Sequence, residues 1–252
     1  MRLASACVAT LVAIATLGAV PASAQTVDEL VAKYYAARGG YEKIKAIQSL
    51  RITQTVANPF SSSTKVVIVK KRPGLVRWEQ TPAGQPAAIL RAINAEGGWD
   101  TQQGKVVPRP EIMVKEERDI DADLEGPLVD WKAKGHTVTF EGTEKVGTGS
   151  GYKLKVVTKG GATREILLDG KTYLPIRESG RMSLPPDPKG NPRFNQHVFT
   201  YSDWRDVNGV KFPFAVDEER TGGPITQSLA TYVEKIETNI PVEDAVFATP
   251  AK

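Results

Sequence analysis

Histidine, the side chain most often used for acid–base and metal chemistry near neutral pH, occurs only twice in this sequence. His136 and His197 lie far apart, and neither has a second histidine at metal-ligand spacing. The sequence also contains no Gly-x-Ser-x-Gly, His-Glu-x-x-His or Gly-x-x-x-x-Gly-Lys motif. We therefore predict a structural role for both histidines and no catalytic residue.

Carboxylates alternate along residues 119–125 (DIDADLE), as they do in a calcium-binding loop. Such a loop needs glycine at its sixth position and glutamate at its twelfth, where this sequence has Leu124 and Asp130. We interpret the run as the solvated face of a helix, and we predict no metal and no cofactor.

The first 24 residues have the features of an export signal. Arg2 precedes an apolar stretch over residues 7–20, and residues 22–24 (ASA) are typical of a cleavage site, so we expect cleavage after Ala24. The apolar stretch is shorter than the roughly 20 residues that span a bilayer. No later segment is long and apolar enough either, so we expect no stable membrane span. Because Cys7 is the only cysteine, the exported chain, residues 25–252, should have no thiol.

The charge pattern argues against nucleic-acid binding. The formal net charge is +4, and basic residues are dispersed among acidic ones rather than gathered on one stripe. The length of the exported chain suits one large β domain, which is the organisation that we favour over two small domains.

Two helices are predicted at the start of the exported chain. Thr26 and Glu29 form a capping box ahead of apolar residues at helical spacing, and Gly39-Gly40 ends that helix. Residues 41–48 have a second, shorter amphipathic pattern.

From Leu50 the apolar period changes to two, which indicates a half-buried strand. Further strands are predicted at residues 65–71, 75–80, 88–95, 99–103, 137–143, 152–159, 163–169, 174–179, 195–205, 211–220 and 226–237. Asn208-Gly209 predicts a tight hairpin. So many strands without intervening helices favour an antiparallel sheet that curls into a sandwich or barrel.

Two segments lack this period-two pattern. Residues 111–134 mix apolar and charged side chains without strict alternation, and we predict one or two short helices that can cover an open end of the sheet. The proline-rich residues 185–192 predict an extended loop.

Four segments resemble the periplasmic outer-membrane lipoprotein-sorting (LolA/LolB-like) superfamily. They are residues 34–47 (YYAARGGYEKIKAI), 168–177 (LDGKTYLPIR), 201–213 (YSDWRDVNGVKFP) and 247–250 (FATP). These are turn and packing signatures, so they indicate a fold more strongly than a ligand.

The resemblance implies a mainly β chain with short helices, in which a single curved antiparallel sheet forms an incomplete barrel with a helical lid. For the carrier branch it also implies an arginine that hydrogen-bonds to the lid, which we do not assign to a position in this sequence. For the cavity lining we predict Ile52, Val67, Val76, Trp78, Trp99, Phe140, Val156, Phe199, Phe214 and Val216. For the lid we predict Ile112, Met113, Leu128 and Trp131.

The function that the resemblance implies is a soluble periplasmic carrier or binder of lipoprotein acyl chains or other lipids. Membrane-bound donor and acceptor proteins are possible partners, and a monomer is expected. The alternative is a periplasmic sensor or protein-interaction module on the same fold. An enzyme is disfavoured because the exported chain lacks a thiol, a metal constellation and a nucleophile motif.

Overall fold

The computed structural model describes residues 25–59, 61–222 and 226–250. The predicted signal segment, residues 1–24, lies outside the described residues. The helices are α1 Val27–Arg38, α2 Tyr41–Ala46 and α3 Glu111–Ile120, with a 3-10 turn at Asp244–Phe247. The strands are β1 Ser49–Asn58, β2 Ser61–Lys71, β3 Leu75–Pro82, β4 Ile89–Ile93, β5 Gly98–Gln102, β6 Lys105–Pro108, β7 Thr137–Val146, β8 Gly149–Val157, β9 Thr163–Asp169, β10 Pro175–Leu184, β11 Arg193–Val207, β12 Val210–Thr221 and β13 Thr226–Thr238.

The strands form one antiparallel sheet in the order β6-β5-β4-β3-β2-β1-β13-β12-β11-β10-β9-β8-β7. Two meanders, β1 to β6 and β7 to β13, meet where β1 pairs with β13. Within the described residues no pairing joins β6 to β7, so the sheet stays open. The predicted fold class is confirmed, and each predicted strand segment coincides with a strand. The short strand β6 was missed.

The sheet curls strongly. β4 and β10 are seven positions apart in the strand order, which would separate them by about 34 Å in a flat sheet. Arg91 of β4 and Met182 of β10 nevertheless line the same cavity. Bulges at Thr53/Gln54 and at Phe140/Gly142 add local twist to two of the strands.

The predicted capping box and hairpin are both present, and they lie at opposite ends of α1. The Thr26 side chain accepts a hydrogen bond from the Glu29 backbone N–H, and the Glu29 carboxylate accepts one from the Thr26 backbone N–H. At the other end of α1, Gly39 has a φ of 115°. A Cβ there would lie 1.9 Å from the carbonyl oxygen of Gly209, in the turn between β11 and β12. Glycine at position 39 therefore allows α1 to dock closely on the sheet.

Both helices α1 and α3 cover the same face of the sheet, which we call the inner face. Beneath α1 lies the main apolar core, to which Leu30, Val31 and Tyr34 contribute from the helix. Sheet residues from β1, β7, β8, β9, β12 and β13 complete it. A smaller core of Val76, Ile93, Val114 and Ala122 lies beneath α3.

The segment predicted to contain one or two short helices contains one, α3, and continues as turns through residue 135. The proline-rich residues 185–192 form a loop, as predicted. On the outer face, the chain beyond β13 lies against β3, and the fully buried Phe247 accepts hydrogen bonds at its carbonyl from Asn94 and Trp99.

Candidate ligand-binding cavity

A cavity of about 350 Å³ lies between α3 and the inner face of the sheet. Its lining combines aromatic, aliphatic and thioether side chains with ionisable ones. The apolar lining residues are Trp78, Met113, Met182, Leu184 and Phe199. The polar and charged lining residues are Gln80, Arg91, Arg109, Glu117, Asp121, Ser183, Asn195, His197, Glu218 and Arg220. The site is therefore amphipathic, whereas a purely apolar hollow had been expected.

The aromatic side of the cavity is built by alternation along β11. Residues two apart on a strand point to the same face, so His197, Phe199 and Tyr201 all point inward. The rings of His197 and Phe199 stack with centroids 5.9 Å apart, and those of Phe199 and Tyr201 are 6.5 Å apart. His197 and Phe199 thus give the cavity an aromatic wall, and Tyr201 continues the row of rings beyond the lining.

A hydrogen-bonded group of three side chains lies on β11 and β12. Glu218 Oε1 is 2.6 Å from His197 Nδ1 and 3.0 Å from Arg220 Nη2. Burial alone would raise the pKa of Glu218, but hydrogen bonds from His197 and Arg220 lower it overall. The Glu218 carboxylate is thus held in its charged form at the cavity wall.

Helix α3 is fastened to the sheet by ionic contacts rather than by an extensive apolar face. Arg109 makes two hydrogen bonds to the Glu117 carboxylate, one of them 2.6 Å long from Nε to Oε2, and Nη1 donates to Asp100 at 2.7 Å. The Glu116 carboxylate accepts hydrogen bonds from the backbone N–H and the hydroxyl of Ser183 on β10. Moving α3 away from the sheet would break several charge-assisted hydrogen bonds.

Buried polar residues separate the cavity from the main core. Along one row of the sheet, Phe199 of the cavity pairs with Glu178, and Glu178 pairs with the core residue Ile166. Glu178 accepts a 3.2 Å hydrogen bond from the Tyr201 hydroxyl, and its Oε1 lies 3.5 Å from Arg164 Nε. Burial raises the pKa of the Glu178 carboxyl. The absence of a Cβ at Gly180 leaves room for the Arg164 side chain.

Three of the predicted site residues meet in this cavity: Trp78 and Phe199 on the sheet and Met113 on the lid. Val76, also predicted as lining, is fully buried in the small core beneath α3. Four others, Ile52, Phe140, Val156 and Phe214, belong to the main core beneath α1 or pack against it. Val216 is half-buried on β12, opposite Tyr201.

Two predicted lining residues lie on the outer face. Trp99 lines a groove with Arg77 and the C-terminal segment, and Arg77 is the strand neighbour of the inward-facing Trp78. Val67 pairs with Glu79, which has the same orientation as Arg77. Neither residue reaches this cavity, because neighbouring residues on a strand point to opposite faces.

The other three residues predicted for the lid lie in two different places. Ile112 on α3 is exposed, whereas Leu128 is buried in the main core and Trp131 packs against that core. The later turns after α3, around residues 128–131, therefore belong to the α1 side of the molecule.

Sequence reasoning missed the ionisable half of the cavity. On β12 the inward residues continue from Phe212, Phe214 and Val216 to Glu218 and Arg220. Alternation could have placed these last two on the inner face, since the apolar period runs directly into them. Their partner His197 is set by the register of β11 and β12, which the sequence does not reveal.

The other residues considered for chemistry have structural contacts. His136 is buried, and its Nδ1 accepts a hydrogen bond from the Lys159 backbone N–H. Within the part of the chain that the structure describes, no group of three or more histidine, cysteine or acidic residues could hold a metal ion. None of the described helices is long and apolar enough to cross a membrane.

No protein-family model matches the sequence, and no curated protein matches it. Solved structures do resemble it. A LolA superfamily protein from Nitrosomonas europaea superposes with a TM-score of 0.58 at 9% identity, covering 89% of this chain and 98% of that one. The chain has a LolA-like fold. A Vibrio parahaemolyticus domain described as an outer membrane lipoprotein-sorting protein domain gives a TM-score of 0.54 at 11% identity, covering 88% of this chain and 95% of that one. The resemblance of the sequence motifs to this LolA-like fold is confirmed.

Proposed function

We propose that this chain is a periplasmic binder or carrier of lipoprotein acyl chains or other lipids, and that it acts by sequestration rather than catalysis. The observation that carries the proposal is the cavity beneath α3, in which Trp78, Phe199, Met113, Met182 and Leu184 offer apolar surface. Each methylene buried there would contribute about 0.8 kcal/mol. The LolA-like fold and the predicted export signal support the same conclusion.

The volume of the cavity limits how large a ligand it can hold. Ligand cavities in proteins usually measure about 300–1,000 Å³, and this one, at about 350 Å³, lies near the lower limit. We therefore propose that a single chain, or part of one, enters the cavity. Exchange with membrane-bound donor and acceptor proteins, and a monomeric state, belong to the same proposal.

The test is native mass spectrometry and lipid extraction on protein purified from the periplasm without detergent. The variant Asn195→Trp should block the cavity, because Asn195 lines it. Its matched control is Gln196→Trp on the same strand, since Gln196 lines a different groove. We expect bound lipid in the wild type and in Gln196→Trp, and a several-fold loss in Asn195→Trp. A ligand-free wild type that also takes up no added dodecyl amphiphile would contradict the proposal.

A further inference from the structure

Two arginines line the cavity from opposite walls. Arg91 lies on β4 and Arg220 on β12, and four strands separate these two in the sheet order. Their side chains are 35% and 37% exposed, whereas Arg109, which fastens α3, is only 4% exposed. Arg91 and Arg220 are therefore placed where a ligand entering the cavity can reach them.

Both arginines keep hydrogen-bond donors available. Arg91 donates from Nε to Asp100 at 2.9 Å, and its other two nitrogens make no hydrogen bond to the described part of the chain. Arg220 directs Nε and Nη2 to the same oxygen of Glu218, and Nη1 has no acceptor among the described residues. Because a guanidinium carries five N–H donors, each arginine can bind a further anionic group.

The carboxylates of the lining do not compensate for these donors. Glu117 is held by Arg109, and Glu218 Oε1 accepts from both His197 and Arg220. Burial raises the pKa of Asp121, which favours its neutral form. Within the described residues, Glu218 Oε2 and the Asp121 carboxyl accept no hydrogen bond. Arg91 and Arg220 are the lining groups that combine a positive charge with free N–H donors.

Each arginine lies beside an aromatic residue that can contact a hydrocarbon chain. The Arg91 guanidinium is 5.7 Å from the centre of the Trp78 ring. Arg220 pairs across the strands with His197, whose ring stacks on Phe199. Anionic and apolar parts of one ligand could thus be bound side by side.

We infer that the cavity selects amphiphiles with an anionic head group, a carboxylate or a phosphate, bound by Arg91 and Arg220, with the chain against Trp78 and Phe199. This inference rests on the proposed lipid-binding function and specifies its ligand class. It requires that an uncharged or cationic head group on the same chain binds more weakly. An anion adds Coulomb attraction to its hydrogen bonds with the two guanidinium groups, whereas an uncharged acceptor lacks this attraction and a cation is repelled.

The experiment is isothermal titration of the full exported protein with four dodecyl amphiphiles below their micelle-forming concentrations: dodecanoate, dodecyl phosphate, dodecyl maltoside and dodecyltrimethylammonium. We expect at least one of the two anions to bind about tenfold more tightly than the maltoside. Comparing the two anions identifies carboxylate or phosphate as the preferred head group. Arg91→Gln and Arg220→Gln should each weaken binding of that anion about tenfold, which would remove its advantage over the maltoside.

The matched control is Arg77→Gln, because Arg77 is also strand-borne and ion-paired, with Glu79, but lines the outer-face groove. It removes the same charge and should leave anion binding unchanged. Maltoside binding equal to that of both anions, or full anion affinity in the Arg91→Gln/Arg220→Gln double variant, would overturn the inference while leaving lipid binding intact. If none of the four amphiphiles binds the wild type, the proposed function itself fails.

Discussion

The two ends of the inner face have the same sheet beneath them but different interiors. Under α1, the fully buried Leu30 and its neighbours fill the space with aliphatic and aromatic side chains. Under α3, the helix buries only Val114 and Glu117, and an open cavity with charged walls lies beside it. The covering helix, together with the inward residues of the strands, thus decides whether this curved sheet encloses a core or a binding cavity.

The largest expected difference comes from truncating one side chain at each end. Leu30→Ala should cost about 3 kcal/mol of unfolding free energy, because it leaves a void in a packed core. Met182→Ala should cost less than about 1 kcal/mol, because its half-buried side chain already borders the cavity. Urea denaturation of both variants measures the contrast. Equal losses would mean that the cavity end is packed as tightly as the core.

A second pair of substitutions tests the buried ion pairs of Glu125, which follows α3 in the chain and contacts α2. Glu125, whose side chain is 1% exposed, contacts Lys45 of α2 at 3.0 Å, Lys134 at 3.5 Å and Arg72. Glu125→Gln should destabilise the protein by about 3 kcal/mol at pH 7, because three cations lose their carboxylate. The matched control is Glu237→Gln, which removes only the surface contact with Lys235 and should leave stability nearly unchanged.

The Glu125 effect should also depend on pH. Burial by itself would raise the pKa of Glu125, but the hydrogen bonds from Arg72 and Lys45 lower it overall. A lowered folded-state pKa gives stability that is present above the unfolded-state value and is lost as pH falls through the folded-state value. The difference between wild type and Glu125→Gln should therefore shrink in urea denaturation below about pH 4. A constant difference down to pH 3 would contradict this account.

The smallest effect concerns the cavity wall. Burial raises the pKa of Asp121, so its stability contribution is present below the unfolded-state pKa and is lost as pH rises through the folded-state value. Asp121→Asn should match the wild type at low pH and become slightly more stable than it at pH 8. Thermal unfolding of ligand-free protein across this range measures the effect. A variant less stable than wild type at pH 8 would mean that the Asp121 carboxylate is needed there.

Much of the fold followed from local patterns. The capping box at Thr26 and Glu29, the Asn208-Gly209 turn and the period-two runs depend on neighbours in the chain, so the sequence alone predicted them. The strand β6 was missed because its four residues, KVVP, are too few to establish a period.

Only part of the cavity was predicted, because the face to which a strand residue points depends on register and not on a local pattern. Trp78, Phe199 and Met113 were named from their apolar character, and the same reasoning also named Trp99 and Val67, which face outward. A shift of one residue in register exchanges the two faces of a strand, and composition does not fix the register. Arg91 and Arg220 were not named, since a charged residue in a strand usually faces solvent.

The sequence by itself therefore determined α1, α2, twelve of the strands and their antiparallel succession, because hydrogen bonding, capping and turn geometry act over a few residues. Tertiary structure alone decided which side chains share the space beneath α3. That choice depends on the pairing of β1 with β13 and on the curl that brings β4 towards β10. These contacts join residues that are far apart in the chain, and no local sequence pattern specifies which of them come together in space.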